Sequence, residues 1–211
     1  MNLDIGYIAI VISVVLISMT LHEAMHAYAG YWLGDDTARL LGRLSLNPIK
    51  HIDPFLTVLL PVLLAISGSP IFGAAKPVPF NPNNLRGGEW GMALVGLAGP
   101  VTNFVIAFVV FGIWVIVGAP GQGLVGQIFM TAVYVNLGFF IFNMIPIPPL
   151  DGSRVLYALA PDFVRRGMEA MERYGILIVF MIIIFAGSSF NVFFGNALNF
   201  FIVLFARFFG V

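Results

Sequence analysis

The sequence predicts an α-helical polytopic membrane protein of about five transmembrane helices, with a small membrane-associated β or re-entrant element between the first and second. Three observations lead there. Apolar residues make up 60% of the chain and charged residues only 9%, whereas a soluble domain carries about 25% charged residues. Such a chain cannot cover itself with a water-compatible surface. Five stretches approach the ~20 apolar residues that a helix needs to cross a bilayer. Residues 35–90 break that pattern with short segments bounded by proline and glycine. No polar block longer than a loop divides the 211 residues, so residues 1–211 read as a single membrane-embedded domain.

The first span, 4–32, follows "MNLD", which has no positive region and carries Asp4, unlike a cleavable signal peptide; it is read as part of the mature chain. In the insertion, "TARLLGRLSLNP" and "FGAAKPVPFNP" are β-compatible and flank "DPFLTVLLPVLLAISGSP". That middle run is apolar but short, and Pro61 interrupts either a helix or a sheet ladder. The second and third spans, 91–118 and 124–148, are joined by "APGQG" at 119–123, a Pro/Gly turn that makes them a hairpin. The fourth, 172–188, is the weakest, since its apolar part "GILIVFMIIIFAG" must borrow "MERY" to span. "GSSFN" at 187–191 is the expected turn into the fifth, 190–209. The aromatic residues of that last span read as lipid-facing or packing surface, with Asn196 and Asn199 available to a neighbouring helix.

Topology follows from charge. If 54–68 dips in and returns without crossing, all ten Lys and Arg residues fall on one side, which the positive-inside rule makes cytoplasmic. The chain is then expected in the plasma membrane with its N-terminus outside and its C-terminus inside. Zero formal net charge and the lack of a basic tail argue against nucleic acid as a partner. The absence of cysteine excludes disulfides and thiolate metal sites.

Polar residues inside the spans carry the chemistry. A charged side chain at the bilayer centre costs roughly 2.5–3.5 kcal/mol even on insertion scales, so each is a functional hypothesis. His22-Glu23-Ala24-Met25-His26 is an HExxH sequence. On a helix, positions i and i+4 share a face, so both imidazoles reach one cation, with Glu23 beside them as general base. The bland alternative is a pair of histidines that only hydrogen-bond inside a bundle. Zinc hydrolases use three protein ligands and leave a position for water. Asp151 in "FNMIPIPPLDGSRVL" is the candidate third: it follows an apolar span broken by Pro146, Pro148 and Pro149, and such backbone must be buried in protein or line a wet cavity. Its alternative is a turn aspartate at the interface. In "GLAGPVTNF", Gly96, Gly99 and Pro100 allow a neighbour close approach. Asn103 there is either a donor to a substrate carbonyl or its oxyanion, or interhelical glue. His51, the one remaining histidine, reads as an interfacial loop residue.

Together, "HEAMH", "GPVTN" and "NMIPIPPLDG", in that order and each on its own segment, resemble the site-2 protease family of intramembrane zinc metalloproteases. "GRLSLNPIKHIDPF" and "AAKPVPFNP" are similar to its compact single-domain members, without a PDZ or CBS module. The resemblance covers roughly 20–160. It implies one Zn2+ per chain held by His22, His26 and Asp151, Glu23 as general base, Asn103 assisting the substrate, and a β element at 39–80 near the site. The substrates implied are transmembrane proteins that unwind locally, their strand adding to an edge of that element. Cleavage would occur within or near their transmembrane segments, with the bilayer as the common solvent and the active site nearer the cytoplasmic face. A zinc transporter or channel would also place His and Asp in spans, but it needs access from both sides and usually a repeat, and neither is visible. A catalytically dead scaffold is disfavoured by the intact ligands and base.

Overall fold

The computed structural model describes residues 5–59, 75–121, 123–175, 177–179, 181 and 187–211. Among these, the principal helices are α1 (Ile5–Trp32), α2 (Glu89–Ile116), α3 (Gly123–Asn143), α4 (Gly152–Leu159), α5 (Asp162–Glu172) and α6 (Gly187–Phe209). α1, α2, α3 and most of α6 are long and apolar enough to cross a membrane. At 1.5 Å per residue, the 28 residues of α1 or α2 extend about 42 Å, more than the ~30 Å hydrocarbon core.

α2 is the hub, packed against α1, α3, α4 and α6. Its buried positions show why. Gly91, Ala93, Gly96, Gly99 and Ala107 are small, which lets neighbouring backbones approach where lipid offers no hydrophobic drive for helices to associate. Further along, Phe111 of α2, Val133, Leu137 and Ile141 of α3 and Phe205 of α6 form the apolar core. The hairpin expected between α2 and α3 is present, closed by Gly118 and Ala119, both at positive φ. α3 stops at Asn143 rather than 148, because prolines 146, 148 and 149 cannot continue its hydrogen bonding.

Two expectations change. The β-compatible segments form no strand among the described residues. Thr37–Leu40 is a single helical turn and Pro48–Lys50 a 3-10 turn, while 75–81 has no regular structure. One backbone bond, Lys76 N–H to His51 O at 2.9 Å, links the two arms, and Pro77 and Pro79 have no N–H with which to extend a ladder. The turn expected at 187–191 is instead the first turn of α6. His51, in the loop after the Pro48–Lys50 turn, is fully buried within the protein, its Nε2–H donating to the Ser45 carbonyl at 2.7 Å. Pro54–Leu59 begins the 54–68 run as one π-helical turn; the rest of that run lies outside the described residues, as does part of the expected span 172–188.

The loop that follows α1 is tied down by one carboxylate. Asp35, 1% exposed, accepts from Thr37 Oγ1 (2.6 Å), Thr37 N (3.2 Å), Asn81 N (2.7 Å) and Asn84 Nδ2 (3.1 Å). Burial works against its charge. The hydrogen bonds from Thr37, Asn81 and Asn84 outweigh it and hold the carboxyl below the ordinary aspartate value.

Candidate metal centre

Three elements bring His22, His26 and Asp151 together. On α1, both imidazoles are buried, as their i, i+4 spacing allows. Asp151 arrives from the turn after α3. Gly152 lies against the Met144 backbone, where a Cβ would come within 2.6 Å of the Met144 carbonyl carbon, so the proline-broken chain folds back on itself and carries Asp151 toward α1. α2 makes room for both partners. A Cβ on Gly96 would meet the Asp151 carbonyl oxygen at 3.0 Å, and a Cβ on Gly99 would stand 2.6 Å from His22 Nε2 and even nearer His26 Nε2. Arg154, one turn beyond Asp151, pairs with Glu172 and so holds α4 against α5.

The donor atoms converge closely. His22 Nε2 lies 3.1 Å from Asp151 Oδ2, His26 Nε2 lies 3.4 Å from the same oxygen, and the two Nε2 atoms are 3.0 Å apart. The opposite ring nitrogens identify the tautomers. His22 Nδ1 is 2.5 Å from Asn103 Oδ1 and His26 Nδ1 is 2.7 Å from the Val95 carbonyl oxygen. Both oxygens only accept, so each Nδ1 carries a proton, and in the neutral form each ring then offers an Nε2 lone pair on the side of Asp151. Two lone pairs and a carboxylate facing one another repel, and a cation between them removes the repulsion. Donors 2.0–2.2 Å from a tetrahedral zinc stand about 3.3–3.6 Å apart, close to the separations here. The residues therefore fit a zinc ion, and Gly99 supplies the space that a Cβ would fill.

Glu23 is outside this three-residue group. Its Oε2 accepts from the Val78 backbone N–H at 3.1 Å, so the 75–81 segment of the insertion lies against Glu23. Asn103 is also brought to the centre, but in a different posture from the substrate-facing one expected. It is fully buried, its Oδ1 faces His22, and its Nδ2 donates to Asn136 Oδ1 at 2.8 Å and to the Ser18 carbonyl at 3.4 Å. Asn136 and Ser18 escaped the sequence reading. Asn136 carried the same signal as Asn103, a lone amide in an apolar span, and Ser18 stands four residues before His22 on the same helix face. Asn196 and Asn199 are exposed on α6 and join no part of the centre.

Comparison with known proteins is consistent with this chemistry. Peptidase family M50 matches residues 118–186, which include Asp151 but not His22 or His26. YwhC of Bacillus subtilis (strain 168), named as a zinc metalloprotease, is 41% identical over 175 residues, covering 80% of this chain and 76% of its own. Rip2 of Mycolicibacterium smegmatis, named likewise, is 29% identical over 181 residues, 85% of this chain and 68% of its own. MJ0611 of Methanocaldococcus jannaschii, with a name of the same kind, is 45% identical over a shorter stretch of 62 residues, 29% of this chain and 31% of its own. No solved structure matches the chain significantly.

Proposed function

The chain belongs to peptidase family M50, the site-2 proteases, and from that premise we propose how its residues divide the work. It is a multi-pass membrane zinc metalloprotease, and the transporter reading of the same cluster is not favoured. His22, His26 and Asp151 hold the zinc. The observation that carries this assignment is the convergence of two Nε2 lone pairs and one carboxylate oxygen, with both Nδ1 protons spent on oxygens that only accept.

When bound, zinc supplies Lewis-acid polarisation of a carbonyl and raises the acidity of water. Glu23 takes a proton from the attacking water and delivers it to the leaving amide nitrogen. The Val78 N–H steadies one carboxylate oxygen, Oε2, and Oε1 does the transfer.

Substrates are membrane-embedded proteins. A segment reaching the centre must first unwind, because a helical peptide carbonyl is already hydrogen-bonded. Residues 75–81, without regular structure of their own, offer backbone groups for it to lie along, though at Pro77 and Pro79 only the carbonyls can pair. The whole of 1–211 acts as one domain with five spans and 54–68 as a non-crossing insertion. The N-terminus lies outside, the C-terminus in the cytoplasm, and the centre nearer the cytoplasmic face. This arrangement rests on the one-sided distribution of the ten basic residues.

Glu23→Gln tests the division of labour. In detergent, with a membrane peptide as substrate, it should abolish hydrolysis and keep its zinc; loss of the metal along with activity would make Glu23 a ligand or a structural residue. Topology has its own test in cells. A membrane-impermeant thiol reagent should label a single cysteine placed at Gln122 but not one placed at Lys76, and labelling at position 76 from outside would reverse the orientation.

A further inference from the structure

The two histidines are held in different ways. His26 gives its Nδ1 proton to a main-chain carbonyl, whose direction is fixed by the helix. His22 gives its own to a side-chain amide, and an amide presents either an acceptor or a donor according to which way it faces. Were Asn103 turned over, Nδ2 would meet His22 Nδ1 and demand the other tautomer, with the proton on Nε2 and no lone pair for a metal.

What fixes Asn103 can be traced atom by atom. Asn136 Nδ2 donates to the Ala132 carbonyl, one turn back in α3, at 2.8 Å, and to Ser18 Oγ, also at 2.8 Å. The Ala132 oxygen only accepts, so Asn136 must point Nδ2 that way and Oδ1 toward Asn103. Asn136 Oδ1 then accepts from Asn103 Nδ2 at 2.8 Å, which leaves Asn103 Oδ1 for His22. The sequence of donors and acceptors starts at a main-chain oxygen and ends at His22 Nε2. All three supporting residues are sealed off: Asn103 is 0%, Asn136 1% and Ser18 3% exposed. At that exposure bulk solvent does not reach these groups, and an oxyanion donor would need an open hydrogen, whereas both on Asn103 Nδ2 face protein atoms.

We propose that Asn103, oriented by Asn136 and Ser18, is a positioning residue that locks the Nδ1–H tautomer and ring plane of His22 and so presents Nε2 to the zinc. This rests on the reading of His22 as a ligand. Metal-bound histidines whose second nitrogen loses its partner commonly lose 10–100-fold in metal affinity or activity, and the relay makes Asn103 that partner, with α1, α2 and α3 each contributing a member.

The test reads zinc release from the purified, zinc-loaded protein into excess chelator, together with the visible spectrum of the cobalt-substituted form. Asn103→Ala should release zinc roughly 10–100-fold faster and alter the cobalt spectrum. Asn103→Asp keeps an oxygen for the Nδ1 proton and should hold zinc far better than Asn103→Ala. Asn136→Ala, which does not touch His22, should fall between wild type and Asn103→Ala. A wild-type release rate and an unchanged spectrum in Asn103→Ala would overturn the relay. If that variant is not recovered folded, Asn136→Ala decides: faster release supports the relay and an unchanged rate overturns it. His22→Ala separates the two levels. Zinc retained there removes His22 from the ligand set, whereas zinc lost there but kept in Asn103→Ala overturns the relay alone.

Discussion

The two halves of α2 hold their neighbours by opposite means. On its buried face from Gly96 to Asn103 the helix presents two glycines and one amide, and what packs against them is the Asp151 backbone, the Arg154 stem, two imidazoles and the Asn136 amide. From Phe104 onward it offers aromatic rings. Phe104, Phe108 and Phe111 surround Phe205 of α6 with centroid distances of 5.5, 5.2 and 5.8 Å. In the first half the contacts are fixed by distance and polarity, and one atom in the wrong place has nowhere to go. In the second, many interlocked rings share the packing, so a loss is graded. The first half is therefore tuned for chemistry and the second for cohesion.

The largest expected effect breaks the first half directly. Gly99→Ala places a Cβ 2.6 Å from His22 Nε2, so the imidazoles must move. A shift of about 1 Å is enough to cost on the order of 100-fold in turnover, and elemental analysis should find the metal depleted. Full activity with full zinc would mean that spacing at Gly99 does not limit the site. Next, Phe205→Ala should cost about 3 kcal/mol of stability, measured by unfolding in detergent, while zinc content stays complete. Depleted zinc in that variant would show that the two halves are mechanically one.

Asp35 offers a smaller effect, on the order of 1 kcal/mol, and a sign. Its folded carboxyl sits below the usual value of 3.8, so the stability it contributes is fully present above that pH and is lost as pH falls through the folded value. The gap in thermal stability between wild type and Asp35→Asn should be constant from neutral pH down to about 4 and close below it; a gap that widens on acidification would contradict the assignment. Least of all, Arg39→Ala removes an exposed pair with Asp36 at 2.9 Å and should leave thermal stability in detergent essentially unchanged. A measurable loss would give the surface of the insertion the same intolerance as the first half of α2.

Much of the centre was legible in the sequence because polar groups inside apolar spans are expensive. His22, Glu23, His26 and Asp151 stood out on that ground, and the structure brings both histidines and the aspartate within hydrogen-bonding distance. The long helices and the turn at 119–123 were legible for the converse reason, unbroken apolar runs ended by Pro and Gly. The insertion was not. β propensity in "TARLLGRLSLNP" describes residues that suit a pleated surface, and with no partner strand among the described residues the segment settles into short turns. The 187–191 turn failed similarly: Gly187 and Ser189 tolerate a turn but equally open a helix. Asn103 was located, yet the direction of its amide is set by the Ala132 carbonyl and Asn136, which no local pattern reveals.

The bond from Val78 to Glu23 has a consequence for genetics. The donor is a main-chain N–H, the one N–H in the run Pro77-Val78-Pro79, and 55 residues separate it from its acceptor. Alanine, serine or leucine at position 78 would leave that N–H in place, so a side-chain scan reads only the packing of Val78 against Ala27 and Ala38 and not the bond. Only an operation on the backbone reaches it: a third consecutive proline, or an ester in place of the amide introduced by chemical synthesis. A map of mutational sensitivity would thus score position 78 by its buried side chain alone, while its amide stays in contact with the proposed base whatever that side chain is.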